Sequence, residues 1–484
     1  MQLKIKKLMR RMLSILAYTL TGAVFGILII YVYIMQSRPD LYPWHSISME
    51  EEFTVRNSSA VTSFSAYLAL EDRLFEELQQ RIYDNWTDKR ERQLIRYDPN
   101  SIANPSLYKI NWNRSFELTQ DKPAGGVLLL HGLSDSPYSL RTLALTLHQQ
   151  GYYVLGLRMP GHGTIPSGLV DTSWQDMAAA VKIAARHVNQ KSSSSPFHII
   201  GYSMGAAQAV NYSLDALQDK SLPGAESLVL ISPAIGVSAV AALAIWQSRL
   251  SAIPGLEKLA WNSIGPEYDP YKYTSFAVNA GDLMYRLTLA INDKLQLLQN
   301  QDRTSEFPKV QAIISAVDAT VTVSAVISHL LDKLNNAGNE LVLFDINRNE
   351  NIIPFVNNDP YEGLKNLFSR ADMRFRLTLL TNVAADNLAV HEINRERDNT
   401  INNRQLELAW PGNIYSLSHV ALPFSVTDSL YGAKPQNKAG LHIGMMSPRG
   451  ERNVLSVPAS DSLRLRYNPF YLYLQQRIVN FLSE

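Results

Sequence analysis

The alternation of polar and apolar positions changes texture twice along the chain. Met12 to Met35 runs 24 residues without a charge, and the segment 1–11 before it carries Lys4, Lys6, Lys7, Arg10 and Arg11 with no acid. A run of that length predicts a helix able to cross a bilayer, since about 20 apolar residues suffice when every backbone group is satisfied inside the segment. The basic flank predicts an N-terminus left in the cytosol and a chain that continues outside it. A cleaved signal peptide is the rival, but its apolar core usually spans about 7 to 15 residues and ends in small residues. Here Gln36-Ser37-Arg38 follows instead. From 36 to 111 the pattern is helix and connector. Tyr67, Leu70, Leu74, Leu78 and Ile82 recur at three- and four-residue steps among Glu71, Asp72, Glu76 and Glu77, which predicts an amphipathic helix lying against its own domain.

After Leu118 short apolar runs alternate with helical segments. Val127 to Leu130, Tyr153 to Leu157, Phe197 to Ile200, Leu228 to Ile231 and Ala312 to Val317 each read as a buried strand. Leu140 to Gln150, with Ser136 as N-cap and Pro137 in the first turn, and Trp174 to Val188 read as helices between them. This rhythm predicts an α/β domain over 112–484 with a mainly parallel, doubly wound sheet. Two stretches interrupt it. Residues 234–306 open with the charge-free run Ala234 to Gln247, pass Pro254, Pro266 and Pro270, and end in an apolar helical pattern near Leu283 to Leu298; they are expected to form a helical cap over a site. Residues 347–413 are polar and Asn-rich with one strand-like run, Phe375 to Leu380, and are expected as a second insertion.

Composition narrows the function classes. With 46% apolar and 18% charged residues over 484 positions, the chain can bury a large core. Lys plus Arg number 45 against 44 for Asp plus Glu, so no long-range field attracts polyanions and no nucleic-acid partner is expected. The absence of cysteine excludes disulfide scaffolds, thiolate metal sites and cysteine nucleophiles. No Walker-type loop, H-E-x-x-H or strand-led G-x-G-x-x-G occurs, so neither cofactor nor metal is expected. The triplets at Asn57, Asn85, Asn113 and Asn211 that fit the glycosylation pattern are as frequent as chance makes them.

The strongest chemical signal is Phe197-His198-Ile199-Ile200-Gly201-Tyr202-Ser203-Met204-Gly205-Ala206-Ala207, a strand, then G-x-S-x-G, then a helix. A nucleophile raised on a sharp strand-to-helix turn needs small residues two positions before and after it. A serine hydroxyl is a weak nucleophile at its own pKa, so a histidine base and a carboxylate that orients it must follow. Asp318, at the end of the run Val310 to Val317, would stand at the same sheet edge as Ser203; Asp345, after Leu341 to Phe344, is the rival acid. Of the histidines after Asp318, His329 sits in an apparent helix, His391 in a charged segment, and His419 in a short loop, Tyr415 to Pro423, that suits the base. His442 is the remaining candidate. The oxyanion formed on the attacked carbonyl needs backbone N–H donors, expected from Met204, next after the nucleophile, and from Leu133 in the loop Leu130-His131-Gly132-Leu133-Ser134. His131 is expected to brace that loop.

Together, His131-Gly-Leu-Ser-Asp-Ser-Pro137, Arg158-Met-Pro-Gly-His-Gly163, Trp174, Gly201-Tyr-Ser-Met-Gly205, Asp318 and Ser418-His-Val-Ala-Leu-Pro423 resemble the α/β-hydrolase superfamily, in the branch of the monoacylglycerol lipases, lysophospholipases and serine aminopeptidases. The resemblance covers roughly Trp112 to Glu484. It implies a serine hydrolase with Ser203, His419 and Asp318 as catalytic residues. About a hundred residues separate Asp318 from His419, where relatives commonly have a few tens. The expected function is membrane-anchored cleavage of a lipid-like carboxylic ester on the extracytoplasmic side, in a bacterial inner membrane. Peptidase or acyltransferase chemistry on the same residues is the alternative, as is a non-catalytic, membrane-tethered scaffold on the same fold.

Overall fold

The computed structural model of the chain describes residues 2–484 except 86–93, 194, 237–249, 319, 352–358, 413, 415, 436–440 and 444–464. Helix α1 (Gln2–Gln36) begins the chain. Its stretch Ile5–Ile34 is apolar, exposed and long enough to cross a bilayer. Six further helices position the rest: α2 (Phe64–Leu78), α3 (Arg141–Gln149), α4 (Trp174–Ser192), α5 (Met204–Gln218), α6 (Val278–Asn300) and α7 (Tyr471–Ser483).

Ten strands form one sheet: β1 (Phe116–Leu118), β2 (Gly126–Leu130), β3 (Tyr153–Leu157), β4 (Phe197–Tyr202), β5 (Ser227–Ile231), β6 (Lys309–Ser315), β7 (Glu340–Phe344), β8 (Arg376–Asn382), β9 (Ala389–Arg395) and β10 (Ile401–Ala409). Their spatial order is β1-β3-β2-β4-β5-β6-β7-β8-β9-β10. The seven from β3 to β8 run parallel. β1 pairs antiparallel with β3, and β9 and β10 extend the other edge antiparallel.

Side chains alternate across a strand, so each apolar run feeds two cores. Leu128, Leu130, Ile199, Leu228, Leu230, Ala312 and Ile314 pack with α2, α4, α5 and α6 on one face. Val127, Leu129, Ile200, Val229, Ile231 and Ile313 pack with α3 and α7 on the other. Burial on both faces explains why these strands read as unbroken apolar runs.

The two interrupting stretches join the domain in different ways. The helical pattern at Leu283 to Leu298 is α6, whose Leu283, Leu287, Ile291, Leu295 and Leu298 are buried in the core shared with α5. Most of the run Ala234 to Gln247 lies outside the described residues. The polar stretch 347–413 supplies β8, at the strand-like run Phe375 to Leu380, and β9 and β10 to the main sheet; the last two were not legible in the pattern. The pattern hid this because edge strands expose one face to water: every position of β10 is exposed or half-buried. Its Asn and Arg residues mask the strand period.

Residues 36–111 are built into the domain. The stripe Tyr67, Leu70, Leu74, Leu78 and Ile82 is buried, Ser63 caps α2 by accepting from Ala66 N–H, and charge ties the helix down. Arg158, 1% exposed, donates to Glu52 at 2.9 Å and to Glu71 at 3.1 Å, while the Tyr67 hydroxyl donates to the Arg158 carbonyl at 2.7 Å. Glu71 also accepts from the Ser115 N–H and hydroxyl. Burial pushes its carboxyl up, opposed by Arg158 and Ser115. Removing one member of such a buried cluster strands the other charge. Glu71→Ala should therefore lower stability to urea by about 3–5 kcal/mol, whereas Glu51→Ala, which breaks an exposed pair with Arg73, should cost less than about 1 kcal/mol. Equal effects would mean that this region is only tethered to the domain.

Candidate active site

At the end of β4 the chain turns into α5 within a single residue. Ser203 sits at that turn with φ 54° and ψ −112°, a conformation costly for any residue bearing a Cβ. Packing imposes it. A Cβ on Gly205 would stand 2.0 Å from the Leu130 carbonyl oxygen, and one on Gly201 would stand 2.4 Å from the Ala206 nitrogen, so only glycine fits at either position. Ser203 N–H donates to the Ile231 carbonyl at 2.9 Å, and the Ser203 carbonyl accepts from Ala206 and Ala234 N–H at 3.1 Å each. The backbone is thereby held from both sides and the hydroxyl is presented above the sheet edge.

His419 reaches this hydroxyl from a loop far along the chain. Its Nε2 lies 2.9 Å from Ser203 Oγ, and its Nδ1 lies 2.8 Å from Asp318 Oδ2. Nδ1–H donates to the carboxylate, which leaves Nε2 as the acceptor facing the serine. The other oxygen of Asp318 accepts from Thr320 and Val321 N–H at 2.8 and 3.0 Å. Burial raises the Asp318 pKa, but the His419 hydrogen bond and these N–H donors outweigh it, and the net shift is downward. The group is an anion at neutral pH. The Tyr202 hydroxyl donates to the His419 carbonyl at 3.3 Å and its ring lies 5.5 Å from the imidazole, a brace that the sequence alone did not single out.

The rival groups are engaged elsewhere. Asp345 is bonded to Arg348 at 2.5 Å and to the Thr381 hydroxyl at 2.7 Å. His329 ends a short helix, Val323–His329. His391 lies on β9, and His442 donates to the Gly432 carbonyl. His131 donates from Nδ1 to the Gly132 carbonyl and accepts Met159 N–H on Nε2 at 3.1 Å. Both ring nitrogens are therefore occupied in holding the loop after β2 against the loop after β3. Burial, reinforced by His162, keeps it neutral.

Leu133 sits in the loop after β2, where Asp135 N–H closes a turn on the Gly132 carbonyl and Ser134 has a positive φ of 62°. Met204 is the first residue of α5, so its N–H has no acceptor inside the helix. Two residues of the 234–306 stretch fasten the Leu133 loop: Tyr273 N–H donates to the Ser134 carbonyl at 2.8 Å, and Lys272 lies 3.3 Å from Asp135. Beside them opens a cleft of about 400 Å³ lined by Tyr268, Tyr273 and Phe276 together with Asp269, Lys272 and Arg466. Apolar walls and charged groups thus adjoin the same loop. Among the described residues no cluster of His, Asp and Glu is arranged to hold a metal ion.

Two outcomes follow from this geometry. Ser203→Gly and Ser203→Ala both remove the hydroxyl, but only alanine keeps a Cβ at φ 54°. The glycine variant should be the more stable by about 1 kcal/mol in urea unfolding. Burial lowers the pKa of His45 to about 3 and those of His162 and His198 to about 4, against 6.5 in the unfolded chain. Above pH 6.5 both states are neutral. Below it the unfolded state takes up protons first, so the melting temperature should fall as pH drops from about 6.5 to about 4. The depressed Asp318 adds its own loss only at lower pH. His198→Leu should flatten the upper part of that slope.

Comparison with known proteins agrees with the fold. A sequence model of the serine aminopeptidase S33 family of hydrolases matches residues 121–274. A thermostable monoacylglycerol lipase of Bacillus sp. (strain H-257) is 31% identical over 117 residues, 24% of this chain and 44% of the lipase, so less than half of that relative is spanned. Solved structures with similarity include a monoacylglycerol lipase of Paleococcus ferrophilus at 19% identity, covering 48% of this chain and 88% of that one with a TM-score of 0.36. A soluble variant of monoglyceride lipase from Saccharomyces cerevisiae is 15% identical over 48% of this chain and 82% of its own, with a TM-score of 0.37. The strand order and the strand-to-helix turn at Ser203 are those of the α/β-hydrolase fold, and within it the segment 121–274 is similar to the serine aminopeptidase S33 hydrolases and, over 117 residues, to a monoacylglycerol lipase.

Proposed function

We propose that the protein is a serine hydrolase that cleaves carboxylic esters of lipid-like, amphiphilic substrates through an acyl-enzyme on Ser203. The observation that carries this reading is the hydrogen-bonded series Ser203 Oγ, His419 Nε2, His419 Nδ1 and Asp318 Oδ2, with links of 2.9 and 2.8 Å. Ser203 Oγ attacks the ester carbonyl carbon while His419 Nε2 takes its proton. Asp318 holds the imidazole in the tautomer that can do so and stabilises the imidazolium that results. The Leu133 and Met204 N–H groups meet the oxyanion. The carbon–oxygen bond to the alcohol then breaks as His419 returns the proton to the leaving oxygen. Water, deprotonated by His419, attacks the acyl group and releases the carboxylic acid.

The lipid-like substrate class rests on three features: the cleft beside the Leu133 loop with aromatic and charged walls, the likeness to a protein called a monoacylglycerol lipase, and helix α1. In this reading Ile5–Ile34 is a signal anchor with the basic residues at its start in the cytosol, and the hydrolase domain stands on the periplasmic face of a bacterial inner membrane. The family description as an aminopeptidase keeps amide cleavage by the same residues as the second reading.

The full chain in detergent should react with a fluorophosphonate probe, whereas Ser203→Ala and His419→Ala should not. Asp318→Asn, which leaves the histidine in the wrong tautomer, should lower kcat on the order of 10³–10⁴-fold. Turnover of p-nitrophenyl esters with long acyl chains, and none of aminoacyl p-nitroanilides, supports the esterase reading. The reverse preference supports the peptidase. A folded protein that neither labels nor turns over any of these substrates would sink both.

A further inference from the structure

Helix α1 is fastened to the domain at the point where its apolar run ends. The charge-free run Met12 to Met35 spans 24 residues, about 36 Å of helix, slightly more than the roughly 30 Å of hydrocarbon in a bilayer. With the basic residues before it in one headgroup layer, Gln36 stands in the other. From there the Gln36 side-chain amide donates to the Gly255 carbonyl and the Arg38 guanidinium to the Trp261 carbonyl. In return the Lys258 ammonium donates to the Arg38 carbonyl at 2.9 Å, to Asp40 at 3.0 Å and to the Gln36 carbonyl at 3.3 Å. The exit of α1 is thereby locked to the segment 255–261.

The turn that leads into this segment is apolar and open to solvent. Leu250 to Leu256 carries no charge, and Leu250, Ala252, Ile253, Pro254 and Gly255 are all exposed, Ile253 by 49%. Exposed apolar side chains are ordinary when scattered. Here they are neighbours, and the run contains Gly255, the residue to which Gln36 is bonded. A turn bonded to the exit of a spanning helix lies at the bilayer surface, where its apolar area leaves water by entering the lipid. The chain then continues through Glu257–Ala260 into a short strand, Trp261–Ser263, paired with Phe276–Ala277. Asn262, Ser263 and Phe276 line the cleft beside the Leu133 loop.

We propose that Leu250 to Leu256 is a second membrane contact, a turn that enters the lipid leaflet in which α1 ends and holds the cleft beside the Leu133 loop close to that leaflet. The inference rests on the reading of α1 as a membrane-spanning anchor. The partner is the lipid surface itself, met by exposed apolar side chains and held in place by the bonds to Gln36 and Arg38. An ester that resides in the bilayer then reaches the cleft without crossing bulk water.

The chain contains no cysteine, so single cysteines can carry spin labels on the full chain reconstituted into vesicles of phosphatidylethanolamine and phosphatidylglycerol. Labels at Leu250→Cys and Ile253→Cys should be more accessible to oxygen than to a water-soluble nickel chelate, like a label at Leu20→Cys within α1. Leu472→Cys should show the reverse, since Leu472 is 74% exposed on α7, which packs on the sheet face opposite to Trp261. Leu20 in lipid with Leu250 and Ile253 as wet as Leu472 would overturn the second contact and leave the anchor reading standing. Leu20 in water would overturn the anchor reading and this inference with it. The labels report the contact whether or not the protein turns over an ester. Ile253→Asp should lower turnover of a long-chain ester embedded in the vesicles about tenfold, the worth of one apolar side chain withdrawn from lipid, and leave turnover of a soluble short-chain ester unchanged. Equal loss on both esters, or loss on neither, would overturn the placement of the cleft at the leaflet.

Discussion

Everything at the candidate active site depends on one close approach, that of the first turn of α5 to the end of β2. A Cβ on Gly205 would be 2.0 Å from the Leu130 carbonyl oxygen, so glycine allows the helix to start directly against the strand. That contact forces the reversal at Ser203 into its strained conformation. The strain is tolerated because the N–H and carbonyl of Ser203 are both tied to neighbouring chain, through Ile231, Ala206 and Ala234. The same approach brings the loop carrying Leu133 beside the helix terminus carrying Met204. The proposed nucleophile and the proposed oxyanion donors are consequently set by one piece of backbone packing, independently of where the histidine comes from.

The second constraint is charge removed from water. Arg158, in the loop after β3, lies buried against Glu52 and Glu71 from the region before the sheet, and its guanidinium also donates to the His162 carbonyl at 3.0 Å. That loop is further held by His131, which spans it to the loop after β2. An N-terminal region that packs only by its apolar stripe could slide; one that satisfies a buried guanidinium has a single register. Glu52 and Glu71 therefore position the rim of the candidate active site from outside the sheet, and the segment that follows α1 is part of the same folded domain.

Burial is used in opposite senses at neighbouring titratable groups. His131 and His162 are kept neutral by it and serve as hydrogen-bonding struts. Asp318 is kept charged in spite of it, because its oxygens receive one imidazole and two backbone N–H donors. Arg96 is a third case, a charge buried with two of its three nitrogens left open. His131 and Asp318 are fully bonded within the chain, whereas His162 keeps Nε2 and Arg96 keeps Nε and Nη1 without a hydrogen-bond partner.

What the sequence determined by itself was whatever local sterics and period dictate. The five central strands, the helices before and after Ser203, the glycines flanking it and the apolar stripe on α2 all follow from residue size and spacing. The meeting of Ser203, His419 and Asp318 was also legible, since a serine proposed as nucleophile on such a turn demands two partners of known type later in the chain. What only the tertiary structure decided involves residues distant in sequence or exposed on one face. The hundred residues between Asp318 and His419 build β7 to β10 as well as connections, which local pattern missed because edge strands mix polar with apolar positions. The apolar pattern of α6 is legible in sequence, but only the fold shows that it packs on α5 in the core. The union of Arg158 with Glu52 and Glu71 has no local signature, because a charged residue looks solvated until the fold shows what surrounds it.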